Sequence, residues 1–257
     1  VHRCVASCII GREALVSLIV CNLAAIATQE GKQVLLVDLD PQGNSTHYLL
    51  GRPGKEIFPN GFDCFNDWLR FTSRVGGPRA CIHSSPFSGL DVLPSHPDLE
   101  ELQAKLEMRY KMFKLRELLL SLSEYDEIFL DTPPAWNFYT RSALIASERC
   151  LIPFDCDAFS RQALYTLLQQ VREISCDHNP QLEVDGIVAN QFQPRARLPR
   201  QLLEEMLSED LPVLEIKLSS SIKIRESHQH CKPLVFMDSQ HKMSREFRNL
   251  HYELQSN

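Results

Sequence analysis

Apolar positions along the chain keep two rhythms. Short uninterrupted runs, at residues 34–37, within EIFLD at 127–131 and within CLIPF at 150–154, alternate with longer stretches whose apolar residues recur every three or four positions. A continuous run, unlike an alternating one, belongs to a strand covered by helices on both faces. The pattern predicts strands at 3–10, 34–37, 90–93, 127–131, 150–154, 184–189 and 213–218. It predicts helices at 15–27, 63–71, 100–122, 142–146, 159–174, 199–207 and 244–254. Residues 52–96 are cut into short pieces by Pro53, Gly54, Pro59, Gly61, Gly76, Gly77, Pro78 and Pro86. Strand and helix alternation of this kind implies one α/β domain over residues 1–257, a doubly wound, mostly parallel sheet with helices on both faces. The first strand, turn, helix and strand make a βαβ unit.

Composition narrows the class. A hydrophobic content of 44% over 257 residues can fill a sizeable core, and no apolar stretch reaches the roughly 20 residues of a membrane span. The nine cysteines are scattered without a CxxC pair, which suits reduced thiols in the cytoplasm rather than a disulfide framework or zinc ribbon. A net charge of -6 gives no global attraction to nucleic acid, so DNA binding would need a local basic patch.

Chemistry concentrates where two apolar runs end in acids. Asp38 and Asp40 close the run at 34–37 and are followed by Pro41, which cannot donate to a ladder; Asp131 closes EIFLD and is followed by Thr132, Pro133 and Pro134. Carboxyl ends of parallel strands are where open α/β sheets bind ligands. Taken alone, DLDP also suits a helix N-cap followed by proline in the first turn. In nucleotide-dependent phosphoryl transfer, one such acid reaches magnesium and another orients water. Asp131 suits the first role, and Asp40 or Asp38 the second.

These stretches resemble the ParA/MinD family of deviant P-loop ATPases, in particular its Soj-type partition branch. The likeness runs through NLAA at 22–25, VLLVDLDPQGNST at 34–46, FLDTPPA at 129–135, ALIASERCLIPFDCDAFSRQAL at 143–164 and IKIRESHQHCKPL at 222–234. It implies a P-loop NTPase-like fold, ATP and Mg2+ as cofactors, a homodimer, non-specific DNA binding, a centromere-binding ParB-like partner and a cytoplasmic, nucleoid-associated location. A basic amphipathic membrane helix is not expected, because SREFRNLHYELQ at 244–255 carries mixed charge.

One segment departs from the family. Where relatives read KGGVGKTT or KGGVGKSS, this chain has Gly11, Arg12, Glu13, Ala14, Leu15, Val16, Ser17 and Leu18. Val16 stands in for the lysine that meets the β- and γ-phosphates, and Glu13 adds a charge that phosphate repels. Gly11 is the one glycine left to line a phosphate, and Ser17 keeps the magnesium-binding hydroxyl. Two accounts fit: a divergent member that has lost ATP binding and hydrolysis, or an altered sequence over residues 1–18; the intact downstream acids favour a recent or artefactual loss. By the same resemblance Asn190 reads the base from a strand end, and Arg195, Lys223, Arg200 and Arg225, with Arg197 nearby, contact DNA phosphates.

Overall fold

The computed structural model describes residues 5–9 and 16–256, with the side chains of 5–9 and 158–159 aside. Gly11 and the loop positions 12–15 therefore lie outside the described residues, whereas Val16, Ser17 and Leu18 open the first helix. Strand β1 (Val5–Ile9) precedes α1 (Val16–Gln29), β2 (Val34–Asp38) and α2 (Asn44–Leu50). The broken stretch holds α3 (Gly61–Asp67), β3 (His83–Ser84) and β4 (Leu90–Leu93). Then come α4 (Leu99–Met108), α5 (Lys114–Leu120), β5 (Glu127–Asp131), α6 (Phe138–Ala146), β6 (Arg149–Asp155), α7 (Ala158–Asp177), β7 (Glu183–Phe192), α8 (Arg197–Ser208) and β8 (Val213–Ser219). The chain closes with α9 (Ile222–Gln229), α10 (Leu234–Met237) and α11 (Lys242–Ser256).

Among the described residues the strands form one sheet in the order β3-β4-β2-β5-β1-β6-β7-β8. Every pairing is parallel except the two-residue β3 against β4. Side chains alternate across it, so both faces are apolar: Leu35, Val37, Ile128 and Leu130 face α3 to α8, whereas Val34, Leu36 and Phe129 face α1, α2 and α9 to α11. This two-sided burial is the reason the strands read as continuous apolar runs. The strand order reverses around β1 and β5, bringing the carboxyl ends of β2, β5 and β1 into one register: Asp38 pairs with Asp131, and Asp131 with Ile9.

The long helix expected at 100–122 is two helices. After α4, Tyr110 adopts φ 53°, Tyr110 N–H donates to Glu107 O, and Lys111 N–H reaches back to Leu106 O at 3.1 Å. That pair of bonds is a Schellman stop, here built on a tyrosine rather than glycine, which is why periodicity alone ran through it. The expected helix cap at Asp40-Pro41 is also displaced. Asp40 closes a turn by accepting from Gly43 N–H, and α2 starts beyond Gly43, whose φ of 65° suits glycine.

Candidate nucleotide site

Three buried carboxylates meet at the carboxyl edge, and each is held differently. Asp38 accepts from Thr46 N–H at 2.8 Å and Thr46 Oγ1 at 2.6 Å on one oxygen, and from Asp40 N–H at 3.2 Å on the other. Both its oxygens therefore fasten the start of α2 to β2. The Asp40 carboxylate accepts only Gln42 N–H, at 3.0 Å, among the described residues, so its second oxygen is available. Asp131 accepts Ser45 Oγ at 2.6 Å on Oδ2, while its buried Oδ1 has no partner among the described residues.

The electrostatics follow from that packing. Burial pushes the Asp38 carboxyl well above the usual range, and the charge of Asp131 adds to it against the Thr46 hydrogen bonds. Burial raises Asp131 to about 6, with the hydroxyls of Ser45 and Ser17 pulling the other way. Burial also raises Asp40, opposed by Gln42 N–H. Two acids in register with one orphaned oxygen form a place where a hard cation would relieve repulsion. Ser17, buried in the first turn of α1, supplies the second oxygen donor. Among the described residues no three His, Cys, Asp or Glu side chains form a metal cluster. Magnesium at a phosphate site needs no such cluster, because it keeps waters and takes one or two protein ligands.

The phosphate half does not match in the same way. Val16 is buried at the start of α1 and lines a cleft with Pro134, Trp136, Phe154, Asp155 and Asn190. An apolar side chain there offers no charge to a phosphate. The residues present thus fit the ion and not the family's way of holding the anion.

Asn190 lies inside β7 instead of following it. Its amide donates to Asp155 Oδ1 at 2.9 Å across the β6–β7 pair, so base reading would have to share that amide. Arg195 sits exposed in the turn before α8, and Arg197 and Arg200 are exposed on α8. Lys223 and Arg225 are exposed on α9. The two groups leave the carboxyl edge of neighbouring strands but pack on opposite faces of the sheet. Lys223 is paired with Glu226 at 3.0 Å. Ser45, Thr46 and Ser95 complete the edge; the run of small polar residues after DPQG was the sequence signal for the first two, and Ser95 had none. Ser95 N–H donates to Thr46 Oγ1 at 2.9 Å, and Ser95 Oγ to Asp40 O.

Sheet order, switch point and acid edge define the class, an α/β fold of the P-loop NTPase type. The AAA domain profile (AAA_31) matches residues 17–184, and the chain belongs to the ParA/MinD-type family of partition ATPases. It is 29% identical over 237 residues to the chromosome partitioning protein ParA of Myxococcus xanthus, covering 91% of this chain and 81% of that one. Its fold matches apo McdA of Cyanothece with a TM-score of 0.82 at 17% identity, over 98% of this chain and 100% of the other. It also matches cobyrinic acid a,c-diamide synthase from Mycobacterium smegmatis, solved with an ATP analogue and magnesium, with a TM-score of 0.77 at 23% identity over 94% and 98% of the two chains.

Proposed function

We propose that this chain is a partition or positioning protein of the ParA type, a homodimer that binds DNA non-specifically and answers to a centromere-binding, ParB-like partner. The observation that carries the reading is the intact acid edge, where, among the described residues, Asp131 Oδ1 has no partner and Asp40 holds a free carboxylate oxygen, with Ser17 close to Asp131. In this reading Ser17 and Asp131 hold Mg2+, which supplies charge neutralisation for ATP phosphates. Asp40 orients water, and Asp38 positions α2 and thereby Ser45. Arg195, Arg200, Lys223 and Arg225 supply sequence-independent phosphate contacts, in keeping with a nucleoid-associated location. No described helix is long and apolar enough to cross a membrane.

A second reading, favoured by the buried Val16, is a binding protein whose association is no longer switched by ATP. The test is ATP binding by calorimetry, with and without Mg2+. The chain itself is compared with a version carrying Arg12→Gly, Glu13→Gly, Leu15→Gly and Val16→Lys. Tight Mg2+-dependent binding by the unaltered chain supports the switched reading. Binding only by the restored version supports the second, and failure by both removes the roles given to Asp40 and Asp131.

A further inference from the structure

A second feature lies away from the carboxyl edge and owes nothing to the nucleotide. The chain's net charge is -6, yet residues 68–80 and 105–116, 25 positions in all, hold eight of its 27 lysines and arginines and one acid, Glu107. Parts of these segments, residues 68–78 and 111–114, wall one open cleft of about 490 Å³ together with Asp67 and Glu117, a volume within the range of sites that take a ligand or peptide side chains. One wall is the loop after α3, the other the elbow between α4 and α5. Trp68, Val75 and Leu118 line it with Arg70, Lys111 and Lys114.

The walls are built, not loose. Asp67 spends its carboxylate on the loop, accepting from Ser73 Oγ at 2.7 Å, Arg74 N–H at 2.9 Å and Val75 N–H at 3.3 Å. Arg79 ties the loop's far end to Glu124 and to Ser121 O. The Schellman stop at Tyr110 fixes the elbow, and Phe113 meets the His178 ring just beyond α7, which places the elbow toward the amino edge of the sheet. Among the described residues Lys114 pairs with Glu117 and Arg70 stands 4.0 Å from Asp67, whereas Lys111, Arg74, Arg109 and Arg116 have no carboxylate partner. Beside these cations stand bare apolar groups: Phe71, next to Arg70, is fully exposed, and Tyr110, next to Lys111, is 89% exposed.

We propose that this cleft docks a short acidic peptide segment of a partner protein, one that carries an apolar or aromatic anchor among its carboxylates. Charge complementarity selects the acid, and the recessed wall of Trp68, Val75 and Leu118 selects the anchor. A flat anionic bilayer cannot enter a recess between two projecting walls. A DNA backbone offers the floor nothing to bury, whereas a peptide brings both chemistries on one chain.

The test uses the whole chain and a fluorescein-labelled random copolymer of glutamate and tyrosine, followed by anisotropy, with polyglutamate, single-stranded DNA and phosphatidylserine vesicles as competing arms. The copolymer is expected to bind, and Arg70→Glu with Lys111→Glu to weaken it by about tenfold or more. Lys105→Glu, the same charge change on the exposed face of α4 outside the cleft, is expected to leave binding nearly unchanged. Phe71→Ser, at a side chain too exposed to matter for folding, is expected to weaken the copolymer and not polyglutamate. The proposal is overturned if Lys105→Glu weakens binding as much as the cleft variants, since that is diffuse attraction. It is equally overturned if polyglutamate binds as well as the copolymer, or if DNA or vesicles bind while the copolymer does not.

Discussion

At the scale of single residues, the acid edge separates three aspartates that look alike in sequence. Asp38 is a structural anchor with both oxygens occupied, whereas among the described residues Asp40 keeps one carboxylate oxygen free and Asp131 keeps one buried and bare. The hinge of this division is Thr46, which donates to Asp38 and accepts from Ser95 N–H. Thr46→Val keeps the shape and removes the hydroxyl, stranding the buried Ser95 N–H and leaving Asp38 Oδ2 with the backbone N–H of residue 46 alone. The expected cost is about 1–3 kcal/mol of stability, measured by urea unfolding. A loss smaller than about 0.5 kcal/mol would mean that Asp38 does not depend on this hydroxyl, within the usual scatter for inert substitutions. Asp131→Ala is expected to abolish any stabilisation of the fold by Mg2+ in a thermal melt. A melt that still shifts with Mg2+ would place the ion elsewhere.

At the scale of elements, helix ends carry the departures from the expected pattern. Tyr110 holds a left-handed backbone that glycine takes without a steric cost. Tyr110→Gly is expected to stabilise the chain by about 0.5–1 kcal/mol, seen as a rise of a few degrees at most in the melting midpoint. If stability falls instead, the tyrosine ring packs more than its exposure implies. The amino edge offers a pH test. Lys32 pairs with Glu127 at 2.6 Å and Glu30 at 3.3 Å, and Glu30 also meets His251 and Gln255 from α11. Burial raises the Glu30 carboxyl, but the bonds from His251 and Gln255 and the charges of His251 and Lys32 bring it below its ordinary value. Burial lowers Lys32, but Glu127 and Glu30 bring it above. A depressed acid contributes stability above its unfolded pKa of about 4.3 and loses it as pH falls through the folded value. A raised lysine contributes below its unfolded pKa of about 10.4 and loses it as pH rises through the folded value. Lys32→Met should therefore cost up to about 1 kcal/mol across the neutral range, discounted for partial exposure, with the difference from the unaltered chain shrinking at both extremes. A difference that is flat with pH would assign the effect to packing of the lysine stem.

At the scale of the whole molecule, the sheet was legible because two-sided burial writes itself as apolar runs, and the acids because they end those runs. Element ends were less so: the stop at Tyr110 and the start of α2 beyond Gly43 depend on backbone bonds that leave no periodic trace. The roles of Ser45 and Ser95 were illegible for another reason, since the partners of their hydroxyls, Asp131 and Asp40, lie far from them in sequence. The basic residues pose the remaining question of scale. Arg195 and Arg200 belong to one face of the sheet and Lys223 and Arg225 to the other, meeting at the carboxyl edge, so a duplex laid along that edge would touch both sets. Counterion release makes this countable: the logarithm of affinity falls with the logarithm of salt concentration at a slope of about 0.9 per neutralised phosphate. Arg195→Ala and Arg225→Ala should each lower the slope for an arbitrary duplex by about one unit, and the pair by about two, without changing sequence preference. Lys223→Ala should lower it by less, because its ammonium is already shared with Glu226. If the arginine variants leave the slope unaltered while binding persists, the duplex does not lie along this edge and the phosphate contacts belong to another surface.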